Sequence, residues 1–377
     1  MRIDRGLYAA LAALLLAAPA AAQQYDTTRK VDVSGVLYAN YQYRADDAAR
    51  SANKFDLERV YVNVRAPLGS RASMRFTADV FQQQKSPDDA YYRGWTVRAK
   101  YAYLQYDYLR PTASGMSAFA RLGMLNTVVI EHIEGFWPRW ISTVPTDRFG
   151  FFSSADMGAS TQLTLPNKLG EVYATVTNGP GYSSRETDRF KDYAARLTLT
   201  PLANQDGIAK SLTLTAWGYK GALASKFVDG GAGQVGQVST SLQRDRWGVF
   251  AGLRDRRLTL GAEYAERRDE GETGANTAAS PRVVSDSTGR IVSGFAIVRP
   301  FEIANPEKRS PLALLFRVDR IEPSTDRGGS GRLVIGGLMY DLTSRLSLSL
   351  DYQEQLPRDG AAIAPSKTYF LHASASF

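Results

Sequence analysis

The chain of 377 residues has no cysteine and only two histidines. Without cysteine there is no disulfide framework, which removes the small stapled scaffolds common among exported proteins. With His132 and His372 as the only imidazoles, a hydroxyl nucleophile has almost no base to activate it. Glu131, His132 and Glu134 crowd onto neighbouring positions and lack the spacing of a ligand cage. No catalysis, metal or cofactor is therefore expected. Beyond the N-terminus there is no apolar run approaching the roughly 20 residues that a membrane helix needs. No compact run of lysine and arginine marks a nucleic-acid site.

What the N-terminus does hold is Arg2 and Arg5, an apolar stretch from Leu7 to Ala18, and Ala20, Ala21 and Ala22 before Gln23. That order reads as a secretory signal peptide over 1–22, removed on export. The rest, 23–377, shows no linker and is expected to form one domain. The net charge of +8 points to anions or anionic lipid headgroups as partners.

Along that domain apolar and polar residues alternate. The first segment sets Val33, Leu37, Tyr41 and Tyr43 against Asp32, Ser34, Asn40 and Gln42; the last sets Tyr369, Leu371, Ala373 and Phe377 against Thr368, His372, Ser374 and Ser376. Period two is the signal of a strand with one oily and one wet face. Such segments recur over 31–43, 55–66, 73–83, 96–109, 118–125, 157–165, 171–177 and 191–200. They continue over 211–220, 247–254, 257–267, 290–299, 312–321, 331–342, 345–355 and 367–377. The connections alternate in length: 69–72, 166–170 and 343–344 are short, whereas 126–156, 221–245 and 268–289 are long. The pattern predicts an all-β fold, a transmembrane antiparallel β-barrel of about 16 strands with short periplasmic turns and long extracellular loops. The 20 tyrosines and 16 phenylalanines favour this over a soluble sandwich. Tyr91, Tyr92, Tyr101, Tyr103, Tyr106 and Tyr108 are assigned by position to belts at the membrane interface.

A barrel of this size leaves room for water. Residues out of phase with the oily row then face the lumen: Arg75, Thr77 and Asp79; Arg98 and Lys100; Arg121; Asp192 and Arg196; Arg257, Thr259 and Glu263; Arg317 and Asp319; Ser347, Ser349 and Asp351. Turned toward lipid, each Arg or Lys would cost about 2–4 kcal/mol at the midplane, so the pattern requires a wet interior. The connection 126–156 differs from the other loops. It carries Val128, Val129, Ile130, Ile133, Phe136, Trp137, Trp140, Ile141, Phe149, Phe151 and Phe152, too much apolar surface for a loop in water. One reading folds it into the barrel, with Glu131, His132, Glu134, Arg139, Asp147 and Arg148 narrowing the passage; the other makes it a contact between subunits. The basic candidates for lining and constriction are Arg75, Arg98, Lys100, Arg121, Arg139, Arg148, Arg196, Arg257 and Arg317.

Four stretches carry a family resemblance: FDLERVYVNVRAPL at 55–68, RLGMLNT at 121–127, YATVTNGPGY at 173–182 and KDYAARLTLTPL at 191–202. With these the chain resembles bacterial outer-membrane porins of the phosphate-selective porin O and P type. The resemblance implies a sixteen-strand, trimeric channel with an inward-folded third extracellular loop and lumenal ladders of arginine and lysine. Its members also hold a lysine cluster in the constriction, whereas 126–156 here contains Arg139 and Arg148 but no lysine. The expectation is passive diffusion of small hydrophilic solutes and ions with a weak to moderate anion preference, phosphate among the anions. The competing expectation is a structural or adhesive barrel whose lumen the loop blocks. The final strand, ending at Phe377, resembles the segment read by the outer-membrane barrel-assembly machinery.

Overall fold

The computed structural model describes residues 30–47, 53–82, 94–186, 188–224, 241–274, 279–358 and 363–377. The expected signal peptide, and Tyr91 and Tyr92, lie outside the described residues. The described residues form sixteen strands. They are β1 (Asp32–Arg44), β2 (Lys54–Pro67), β3 (Ala72–Gln82), β4 (Trp95–Leu109), β5 (Ser117–Asn126), β6 (Ala155–Thr164), β7 (Gly170–Thr177) and β8 (Asp192–Leu199). There follow β9 (Thr213–Ala224), β10 (Ser241–Arg254), β11 (Leu258–Thr273), β12 (Val283–Val298), β13 (Leu312–Glu322), β14 (Ser330–Thr343), β15 (Leu346–Arg358) and β16 (Ser366–Ser376). Each pairs antiparallel with its sequence neighbours, and β1 pairs with β16 from Val36↔Ser376 to Arg44↔Thr368, so the sheet closes. Closure leaves no strand edge unpaired, the condition for a sheet surrounded by hydrocarbon.

Which face is oily decides what the barrel is for. On β13, Leu314 and Phe316 stand 44% and 52% exposed on the outside, while Arg317 and Asp319 are fully buried inside. On β15, Leu350 points out, with Ser349 and Asp351 pointing in. This is a soluble protein's arrangement inverted, and an outer surface of Leu, Val and Phe suits lipid, not water. Among the described residues no helix is long and apolar enough to cross a membrane.

The sheet departs from the sequence pattern in three places. Much of the expected long loop 268–289 is strand, because β11 and β12 stay paired out to Thr273↔Val283. Both faces are polar there, as in Arg268, Asp269 and Glu270 against Ser287 and Asp286, so the ladder continues where the oily alternation has ended. Likewise β9 reaches Ala224 and β10 begins at Ser241, inside the expected loop 221–245. At the opposite end two connections, 200–212 and 299–311, are not short turns; they carry the helical turns Ile208–Ser211 and Pro300–Ala304.

Two bulges reset the lumenal phase. Between β1 and β2 the register jumps from Tyr38↔Arg59 to Ala39↔Leu57, so Glu58 is the extra residue. Between β3 and β4 it jumps from Thr77↔Tyr101 to Ala78↔Ala99, so Lys100 is extra. A bulge turns its additional side chain to the same face as its neighbour. Lys100 and Tyr101 consequently both point inward and are buried, and Tyr103 follows the same phase. Tyr101 and Tyr103 therefore leave the interface belt in which their spacing alone had put them, while Tyr106 and Tyr108 remain outside, about half exposed.

Candidate functional site in the barrel lumen

After Asn126 the chain does not rise from the rim but turns into the barrel. It forms the helical turn Ile130–Glu134, crosses the lumen through Trp137 and Trp140, forms a second turn at Pro145–Arg148 and returns to β6. Val128, Val129, Ile130, Ile133, Val144 and Phe151 are completely buried, and Trp137 nearly so. They pack on an inner wall that is itself apolar along one arc: Trp217, Phe250, Phe295, Leu315, Leu333 and Ile335, from β9, β10, β12, β13 and β14. Ring contacts run Trp137 to Phe295 at 5.4 Å, Phe152 to Trp217 at 5.4 Å and Phe136 to Phe250 at 5.0 Å. The inner surface is thus not wet throughout. One side of it is a hydrophobic seat for the loop, which resolves the two readings of the sequence in favour of the inward fold.

Polar ties fix the loop's carbonyls to the wall. Arg317 donates to the Thr143 oxygen at 2.8 Å and pairs with Asp319 at 2.7 Å. Gln353 donates to the Ile141 oxygen at 2.9 Å. Arg196 donates to the Val128 oxygen and pairs with Glu171, and Arg246 donates to the Phe151 oxygen. Within the loop, Arg139 is held between Glu134 at 2.6 Å and Asp147 at 3.1 Å, and the Trp137 indole donates to the Ser142 oxygen at 3.0 Å. Arg196, Arg317 and Arg139 are each consumed by such ties and meet little open water. Arg148 lies on the loop surface and donates to the Ser142 hydroxyl at 3.1 Å. Arg257 falls in the turn between β10 and β11, paired with Asp255 at 2.8 Å.

The opposite wall, β2 to β5, is basic and aromatic in alternation. The Arg75 guanidinium lies 4.4 Å from the centre of the Tyr101 ring, Arg121 lies 4.6 Å from Tyr103 and 4.2 Å from Phe119, and the Lys100 ammonium lies 4.5 Å from Tyr61. Each cation rests on the negative face of a ring, which holds it in place without cancelling its charge. Further up, Arg98 and Arg59 share Asp79 at 3.0 and 3.3 Å, which offsets one of their two charges. Arg121 bonds only the neutral Gln105 and Asn126, and Lys100 only the Tyr61 hydroxyl, so among the described residues neither has a carboxylate partner. Glu131 projects from the loop across the gap, 3.5 Å from Arg75. Two cavities of about 550 and 350 Å³ share Arg75 and Glu131 in their walls. The first is also lined by Arg65 and Arg121, the second by Lys100, Tyr38 and Arg139. Arg65 and Glu58 were missed by the sequence reading; the cross-strand pair Arg65↔Arg75 could have found the first, and nothing short of the bulge could have found the second.

His132 sits on the seat side of the loop. Its Nε2 is 2.8 Å from the Thr215 hydroxyl, and the ring meets Phe136 and Phe250. Burial, reinforced by Arg196, lowers its pKa to about 3. In the unfolded chain the imidazole takes up a proton below about 6.5, whereas in the folded chain it stays neutral down to about 3, so stability falls as pH drops through that window. Between pH 7 and pH 5 the wild type is expected to lose roughly 1–2 kcal/mol more than His132→Gln does. Unfolding midpoints of the two proteins measured at both pH values check this; parallel losses would show that the ring is not sealed.

No family model matches the chain, and no curated protein matches it. Solved structures do. The anion-selective porin from Comamonas acidovorans superposes with a TM-score of 0.62 at 11% identity, covering 93% of this chain and 100% of its own. OmpF of Salmonella typhi, in complex with daunomycin, gives 0.60 at 11% identity over 94% of this chain and 100% of its own. OmpT of Vibrio cholerae, expressed in the outer membrane, gives 0.59 at 10% identity over 94% and 100%. At these identities the likeness is one of fold: a closed sixteen-strand antiparallel barrel.

Proposed function

We propose that the chain is an outer-membrane channel for passive diffusion of small hydrophilic solutes and ions, with a weak to moderate preference for anions. The observation that carries the preference is the basic wall: Arg75, Lys100 and Arg121 are pinned on rings beside the passage, and two of the three have no carboxylate partner among the described residues. A cation fixed on a low-dielectric wall raises the local concentration of anions. Glu131 opposite tempers that field, which is why the preference is weak to moderate. The same wall supports phosphate as one of the solutes, in line with the family resemblance of the sequence, although the loop supplies arginine rather than lysine. Passage needs no chemistry, and the reading assigns none.

Single-channel recording in a planar bilayer under a salt gradient tests this. The wild type is expected to give steady ohmic steps with an anion-leaning reversal potential. Arg121→Glu and Arg75→Glu are each expected to lower the chloride-to-potassium permeability ratio about twofold or more, since each reverses a charge facing a confined aqueous path. Unaltered selectivity in both would remove the basic wall from the account. Silence from folded protein would favour the blocked structural barrel.

A further inference from the structure

The cations of the basic wall stand at successive heights along the passage, and each lies on a ring. At the top Arg98 sits between Phe81 at 4.0 Å and Tyr182 at 4.2 Å; below it come Lys100 on Tyr61, Arg75 on Tyr101 and Arg121 on Tyr103. Those rings are accounted for by the cations they hold. The smaller cavity, of about 350 Å³, has apolar groups in its wall that are not: Val36 and Tyr38 from β1, and Pro138 and Trp140 from the loop, around a volume that also touches Lys100 and Arg75. Tyr38 meets Tyr61 edge-on at 6.2 Å and Trp140 meets the His372 ring edge-on at 6.3 Å, so what these two touch is other rings. An apolar wall on a narrow aqueous path repels water and bare ions. An anion with an apolar body can use both halves of such a cavity.

The loop itself shows which anionic group fits. Glu131 brings a carboxylate to 3.5 Å from Arg75 Nη1. The rest of that guanidinium is fixed on the wall, Nε donating to the Thr77 hydroxyl and Nη2 to the Asn63 side-chain oxygen, each at 3.1 Å. The Glu131 contact is longer than the roughly 2.7–2.9 Å of a charge-assisted hydrogen bond, and Glu131 is 43% exposed, so a carboxylate from a solute can take its place. The Lys100 ammonium, with three donors, spends one on the Tyr61 hydroxyl at 3.3 Å. Glu134, the other acid in the cavity wall, is held by Arg139 at 2.6 Å, and together with Glu131 it disfavours a second negative charge on the solute. We propose that the smaller cavity binds aromatic monocarboxylates in transit, with the carboxylate between Lys100 and Arg75 and the ring against Tyr38, Pro138 and Trp140. Ring against ring, edge-on or offset, adds to what burial alone supplies, which favours an aromatic body over an alicyclic one. The transit rests on the channel reading above; the binding does not.

Two measurements on the purified full barrel test it. One is fluorine NMR line broadening of para-fluorobenzoate in detergent, with benzoate, cyclohexanecarboxylate, acetate and inorganic phosphate as competitors. The other is block of the chloride current in planar bilayers by the same four anions. Benzoate is expected to compete and to block at concentrations on the order of tenfold below those of acetate and phosphate, with cyclohexanecarboxylate in between. Tyr38→Ser is expected to bring benzoate down to the level of acetate, and Lys100→Met to weaken benzoate and acetate alike; heat-modifiable gel mobility reports that both variants are folded. Equal binding of benzoate and acetate by the wild type, equal binding of benzoate and cyclohexanecarboxylate, or undiminished benzoate binding in both folded variants overturns the proposal. A conducting, anion-leaning wild type that treats benzoate as acetate would strike this proposal and leave the channel reading standing. A silent wild type would strike the channel reading, and the NMR competition would still decide whether the cavity takes the ring.

Discussion

Trp137→Ala is expected to unseat the inward loop: a barrel about 3–5 kcal/mol less stable, with a higher and noisier single-channel conductance. The magnitude is that of removing a large ring from a packed interior that cannot collapse around the gap. Trp137 is 1% exposed, meets Phe295 edge to face at 5.4 Å and ties its own loop through the Ser142 oxygen. The strands do not need it, since their hydrogen bonds run entirely between neighbours in the sheet. Closed strands with a loosened loop are therefore the anticipated product. Unfolding in guanidinium and planar-bilayer recording read the two effects separately. A normal midpoint with normal conductance would show that the loop is held by something other than its aromatic face.

Arg317 carries the second large effect. It and Asp319 are fully buried, 2.7 Å apart, and Asp319 also accepts from the Ser293 hydroxyl at 2.7 Å. Arg317→Met is expected to cost about 3–5 kcal/mol, because it leaves a carboxylate buried without its cation and the Thr143 oxygen without its donor. Removing both charges, in Arg317→Met/Asp319→Leu, is expected to restore most of that loss, since a buried pair repays little more than its own desolvation. The double-mutant cycle from denaturation midpoints gives the coupling directly. Additive losses would mean that the pair is not the unit that fixes Thr143.

The strands were legible because a closed sheet between lipid and water forces a period of two along much of each strand, and each of the sixteen segments read from 31–43 to 367–377 overlaps one of β1 to β16. The inward loop was legible for a related reason: Phe136, Trp137, Trp140, Phe151 and Phe152 had to be covered by something. What the pattern could not show was where the period slips. A bulge at Lys100 turned Tyr101 and Tyr103 inward with it, and another brought Glu58 beside Arg59; neither bulged residue is of a type that announces a bulge. Nor could periodicity separate inward residues that meet water from inward residues that meet the loop. Arg75 and Arg196 read alike in sequence, yet one borders a cavity and the other is spent on Glu171 and the Val128 carbonyl. That distinction depends on which arc of the wall the loop occupies, set by Phe250, Phe295 and Leu333 far along the chain.

The loop leaves the sheet after β5 but is seated by residues much later in the chain: Thr143 is tied to Arg317 and Ile141 to Gln353, separations of 174 and 212 residues. Contacts so distant form late, because the entropy of closing the intervening chain must be met before they give anything back. Any molecule whose loop is not yet seated leaves a cluster of tryptophan and phenylalanine uncovered and a hole wider than the finished one. Such surface is prone to stick to its own kind. Narrowing therefore waits on residues far along the chain, and a cell that makes this barrel has an interest in how briefly the loop stays unseated.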